Sequence, residues 1–206
     1  MSVRYRQLGV SLNNSDVVIQ AGAVQWFIGD VNVKTDVKGV GDFAKKLIGS
    51  KVTQETAVKP RYIGTGLVVL EPTYKYLIID NPIDWGESGM VIRDGMFLAC
   101  DGHINMGVVA RNTISSAVLG NNGMFNLNLK GDGNVILESD SPFDELVLLD
   151  LHDDVVKIDG AFALVWSNSL KFTVEKATKT LVGSAASGEG LVNVYRGTGK
   201  ILIKPL

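Results

Sequence analysis

Cysteine occurs once in the 206 residues, histidine twice and proline five times. A single thiol, Cys100, excludes an internal disulfide and fits a reducing compartment. The two histidines, His103 and His152, stand far apart and neither belongs to an H-x-H pattern. A metal-dependent β-barrel enzyme of the cupin sort needs clustered histidine and carboxylate ligands, so that class has little to rest on. No serine sits in a G-x-S-x-G elbow, which removes the commonest sequence sign of nucleophilic catalysis. Apolar runs are short, and none approaches the roughly 20 residues of a spanning helix. The opening stretch "MSVRYRQLGVSLNNSD" lacks the apolar core of a secretion signal. Net charge is only −2, so no overall basic field draws nucleic acid or an anionic membrane. These absences together predict a cytoplasmic protein with no membrane span, no cofactor and no catalytic machinery.

Glycine is what the chain has in excess, at 23 residues. The glycines separate short β-rich runs such as 66–70, 77–79 and 201–203. Many short strands divided by Gly and Asx turns point to an all-β sandwich or barrel with little helix. In "MFNLNLKGDGNVILES", Phe125, Leu127 and Leu129 alternate with Asn126, Asn128 and Lys130, which predicts one buried and one wet face. Helical spacing is confined to "GDFAKKLIGS" (41–50), where Phe43, Leu47 and Ile48 share a side. The matching stretches "NTISSAVLG" and "KATKTLVGS" are rich in Thr and Ser and read as loops or strands.

Two landmarks recur in one order. The first is an apolar pair followed by a glycine and an apolar strand: "DVVIQAGAVQWFIGDVNV", "GMVIRDGMFLACDGHINM" and "DVVKIDGAFALVWSNSLKF", anchored by Gly22, Gly95 and Gly160. The second is Gly64-Thr65-Gly66, Gly131-Asp132-Gly133 and Gly197-Thr198-Gly199, each followed by a strand. Such recurrence reads as a triplication. The expected repeat units are approximately 1–75, 76–143 and 144–206, within one compact domain of antiparallel β-sandwich units in a pseudo-threefold arrangement. Units of this size are too small to fold alone and should share an interface.

The Gly-x-Gly elements could cradle phosphate only if a helix N-terminus followed them. A strand follows each, so they read as tight hairpin turns, where glycine reaches positive φ without penalty. His152-Asp153-Asp154 reads as a polar turn. Cys100 ends the apolar run "MFLAC" and reads as a buried, inert thiol. Trp26, Trp85 and Trp166 read as core residues.

Segment 34–62 departs from the rest. Its cations Lys34, Lys38, Lys45, Lys46, Lys51, Lys59 and Arg61 face three acids, giving +4 on a body that is otherwise −6. Lys45, Lys46 and Lys51 are therefore candidates for touching phosphate or an acidic partner. RNA binding through this segment is an alternative function, weakened by the scarcity of neighbouring aromatics. Glu189, in Gly188-Glu189-Gly190, is a further candidate for interaction because the other copies do not reproduce it.

The stretches "GMFNLNLKGDGNVILES", "LLDLHDDVVKIDGAFALVWSNSLKF" and "SGEGLVNVYRGTGKILIKP" resemble the C-terminal half of the altered-inheritance-of-mitochondria (member twenty-four) family, and the resemblance extends over essentially the whole chain. It implies a triplicated fold whose units are like the tryptophan RNA-binding attenuation protein (TRAP-like, of the double-stranded β-helix type). It implies no assigned activity for bacterial members, a link to inner-membrane organisation for the mitochondrial one, and no catalytic residues. The expected function is thus a non-catalytic binding or assembly module, a homo-oligomer with a further protein partner as one option. The alternatives are the RNA- or phosphate-binding protein above and a small-molecule-binding or metal-dependent β-barrel enzyme.

Overall fold

Short runs of branched and aromatic residues between glycines favour strands, because they pack well on a pleated surface. In a computed structural model, which describes residues 6–35, 59–110, 125–159, 162–176 and 191–205, thirteen strands form. They are β1 (Gly9–Ile19), β2 (Val24–Lys34), β3 (Arg61–Leu70), β4 (Tyr76–Asp80), β5 (Met90–Ile92), β6 (Phe97–Asp101), β7 (Asn105–Ala110), β8 (Phe125–Lys130), β9 (Val135–Ser139), β10 (Val147–Asp159), β11 (Ala163–Ser167), β12 (Lys171–Lys176) and β13 (Leu191–Ile203). The helical content among the described residues is two 3-10 turns, Pro82–Trp85 and Phe143–Glu145. The chain is all-β with antiparallel sheets, as its composition predicts. The helix-like stretch 41–50 lies outside the described residues, as do 111–124 and 177–190.

Contacts group the chain into two units. One holds Met1–Pro82, Asp94–Asn105 and Gly131–Asp144, and the other holds Ile83–Arg93, Met106–Lys130 and Glu145–Leu206. The first carries the sheet β2-β3-β1-β6-β9-β4 over a core of Leu12, Val17, Ile19, Tyr62, Val68, Leu70, Leu98, Ala99 and Ile136. The second carries β10-β13-β11-β5-β8-β7, with β12 also on β13. Its core gathers Trp166, Tyr195, Ile201, Leu151 and Ile158, and stacks Trp166 on Phe172 with ring centroids 5.7 Å apart.

Two of the three Gly-x-Gly elements are bends inside strands and not hairpin turns. Gly64 and Gly66 lie within β3, and Gly197 and Gly199 within β13. Opposite the first pair, the β1 register shifts between Leu12 and Ser15, and Asn14 takes a left-handed φ of 47°. Opposite the second, β10 shifts between Leu151 and Asp154, and Asp153 has φ 55°. The threonine between the glycines binds the bulge in both places: Asn14 N–H donates to Thr65 Oγ1 and Asp153 N–H to Thr198 Oγ1, each at 3.0 Å. His152-Asp153-Asp154 is therefore a bulge within a continuous strand and not a turn between two. A bulge opposite glycine lets a strand bend sharply while keeping its pairing on both sides. The third element, Gly131-Asp132-Gly133, falls between β8 and β9.

Two further readings need correction. Asn126 is buried, at 3% exposure, because its amide donates to Ile92 O at 2.8 Å on the neighbouring strand β5. The neat alternation of β8 into a dry and a wet face therefore fails at that residue, although Leu127 and Leu129 are buried as expected. Trp85 and Trp166 are core residues, but Trp26 is 46% exposed on β2.

Candidate interaction surface

The candidates Lys45, Lys46, Lys51 and Glu189 lie outside the described residues. Of the basic segment, Lys34, Lys59 and Arg61 are described. Lys34 is exposed. Lys59 lies 4.0 Å from the centre of the Phe97 ring. Arg61 pairs with Asp16 and donates to Gly102 O at 2.7 Å, so its charge serves the joint between β1 and β6.

The reactive groups are likewise held in structural roles. Cys100 is fully buried, and burial, reinforced by the Asp101 carboxylate beside it, pushes its thiol up to about 12. A nucleophile needs the opposite environment, exposed and electropositive. His103 Nε2 lies 2.7 Å from Asp132 O. Around the same bend Asp101 accepts from Asn134 N–H at 2.7 Å, and Asn81 donates to Asp132 Oδ1 at 2.7 Å and accepts from Gly133 N–H at 3.0 Å. These contacts tie the ends of β4, β6 and β9 to the bend at Gly131-Asp132-Gly133. Among the described residues no group of three or more His, Cys, Asp or Glu is disposed to hold a metal ion. No described helix is long and apolar enough to cross a membrane.

Two long edge strands hold seven of the exposed large apolar residues, a feature that sequence reasoning missed. β2 is the outermost strand of its sheet and presents Trp26, Phe27, Ile28 and Val33 to solvent, with Ile28 at 66% exposure. β10 is outermost in the other sheet and presents Val147, Leu148 and Val155. Phe27 is steadied by an edge-on contact with Tyr62, ring centroids 5.9 Å apart. A long edge with apolar side chains and free backbone donors and acceptors is a template for pairing with another strand. The sequence carried no signal for this, since the equally consecutive apolar run Phe97-Leu98-Ala99-Cys100 is buried on both faces.

An uncharacterized protein of Streptococcus pyogenes serotype M6 is 26% identical over 200 residues, covering 94% of this chain and 78% of its own length. A crystal structure of a Streptococcus pyogenes protein superposes with a TM-score of 0.70 at 22% identity, covering all of this chain and 91% of its own. That likeness concerns the fold. The profile of the family described as Mitochondrial biogenesis AIM24 matches residues 1–206, and the chain belongs to that family.

Proposed function

We propose that the chain is a non-catalytic assembly module built from three copies of a three-strand unit, which associates through its exposed sheet edges. The observation that carries this reading is the pair of long edge strands, β2 and β10, with apolar side chains in water. The dedication of Cys100, His103 and Arg61 to internal contacts supports it from the other side, since few described reactive groups remain for chemistry.

The repeat is supported by register. The second strand of each copy slips against the third near its start: between Val24 and Trp26, between Phe97 and Ala99, and between Ala163 and Val165. In each copy the residue two before the first glycine of Gly-x-Gly meets the first strand at a matching place. Tyr62 pairs with Val17, Leu129 with Met90 and Tyr195 with Val156. One slip at one position three times is what triplication of a single unit produces.

Light scattering of the purified protein tests the assembly reading. A defined oligomer is expected at micromolar concentration. A strict monomer across the accessible range would overturn it.

A further inference from the structure

We infer that the outer edges of β2 and β10 are two halves of one joint, and that β10 of one copy pairs with β2 of a second copy of this chain. The inference rests on the assembly reading and on the repeat, and it adds the surface, the partner and the register.

The joint is already made twice inside the chain. In the first unit, Val17-Val18-Ile19 of β1 pairs antiparallel with Asp101-Cys100-Ala99 of β6. Two hydrogen bonds flank it: Gly102 N–H to Asp16 O at 3.0 Å and Gln20 N–H to Leu98 O at 2.8 Å. In the second unit, Met90-Val91-Ile92 of β5 pairs with Ser167-Trp166-Val165 of β11. The flanking bonds recur at equivalent places: Asn168 N–H to Gly89 O at 2.9 Å and Arg93 N–H to Leu164 O at 2.8 Å. Each joint links the first strand of one copy to the second strand of the next.

Continuing the series requires the first strand of the third copy and the second strand of the first. Register names the residues. On β10 the segment matching Val17–Ile19 is Val156-Lys157-Ile158, because Val156 faces Tyr195 as Val17 faces Tyr62. On β2 the segment matching Ala99–Asp101 is Trp26-Phe27-Ile28, because Trp26 and Phe27 face Val69 and Val68 as Ala99 and Cys100 face Ile136 and Val135. The joint then pairs Val156 with Ile28, Lys157 with Phe27 and Ile158 with Trp26. Gly29 takes the place of Gly102 and donates to Val155 O, and Asp159 donates to Gln25 O.

Burial distinguishes the made joints from the open one. Val17, Val18, Ile19, Ala99 and Cys100 are buried in the first, and Met90, Val91, Ile92, Val165 and Trp166 in the second. On β2 the counterparts Trp26, Phe27 and Ile28 are exposed, whereas on β10 Lys157 is exposed, Val156 is half-buried and Ile158 packs into the core of its own unit. Both edges are outermost strands among the described residues. Another copy carries the matching edge in the matching register. Since the two edges differ, the contact is head-to-tail, the kind that builds rings or filaments.

Cysteine pairing tests this. Ile28 and Val156 would fall opposite each other at a non-hydrogen-bonded position, where antiparallel Cα atoms lie about 4.5 Å apart, close enough for a disulfide. One preparation carries Ile28→Cys, a second Val156→Cys, and the native Cys100 is buried in both. Under mild oxidation the mixture should give a disulfide-linked dimer on a non-reducing gel, and neither preparation alone should. The double variant Ile28→Cys/Val156→Cys should link into higher species. A mixture that stays unlinked, or a double variant whose disulfide closes within one chain, overturns the inference. If light scattering still shows an oligomer in that case, the joint is wrong and the assembly reading stands. A strict monomer would remove both.

Discussion

At the scale of the residue, the glycines divide into two kinds that the sequence does not separate. Gly95 sits in a turn with φ 82° and has open space where a Cβ would go. Gly64 has φ 141°, and a Cβ there would lie 1.9 Å from the backbone oxygen of Asp30 on β2. Gly95→Ala should therefore cost only the dihedral preference, about 1–2 kcal/mol. Gly64→Ala must also push a paired strand aside, so its urea midpoint should fall well below that of Gly95→Ala. Equal midpoints would show that β2 yields freely. Cys100 permits a second prediction. With its thiol held up at about 12 by burial, it should resist a thiol reagent at neutral pH in the native protein and react fully in denaturant; stoichiometric native labelling would contradict the packing around it. The burial of Cys100 was legible from "MFLAC". The exposure of Trp26 was not, because residue type sets how much surface a side chain gains by burial, while the presence of a neighbouring strand decides whether burial happens.

At the scale of the element, sequence pattern located the strands and misjudged how they connect. Gly-x-Gly between apolar runs looks the same whether the chain reverses or merely bends, since both need glycine's freedom. What distinguishes them is the partner strand, and its bulges at Asn14 and Asp153 were hidden because Asn and Asp also mark turns. β12 shows how a side chain can hold an edge. Thr173 Oγ1 donates to Glu175 at 2.8 Å, and Arg196 of β13 lies 2.8 Å from the same carboxylate. The threonine bond first, and then the guanidinium, hold Glu175 below the usual glutamate range. A carboxylate with a lowered folded value stabilises the native state above its unfolded pKa, about 4.3, and loses that contribution as pH falls through the folded value. The stability difference between the native protein and Glu175→Gln should hold constant from pH 7 to about 5 and shrink below that. Because the pair is partly exposed, the difference should be small and should narrow in high salt. A difference that grows toward acid pH would reverse the assignment.

At the scale of the whole molecule, the proposed repeat rests on spacing that can be read in sequence, whereas the grouping of strands was not legible. Residues 76–143 read as one unit along the chain, yet β4, β6 and β9 belong to one sheet and β5, β7 and β8 to the other. Contiguity in sequence cannot reveal this: at Gly131-Asp132-Gly133, for example, the chain passes from β8 in one sheet to β9 in the other. Among the described residues, one hydrophobic cluster lies in each unit, and the two have no residue in common. Leu70 is fully packed in the first and Ile201 in the second. Truncating either to alanine removes comparable apolar volume and should cost about 2–5 kcal/mol. Residues without shared partners contribute additively to within about 0.5 kcal/mol. Urea unfolding of Leu70→Ala, Ile201→Ala and the double variant should therefore give a loss equal to the two single losses combined within that margin. A coupling energy above about 1 kcal/mol, of either sign, would mean that the two clusters behave as a single core, and the division into two packed units would have to be abandoned.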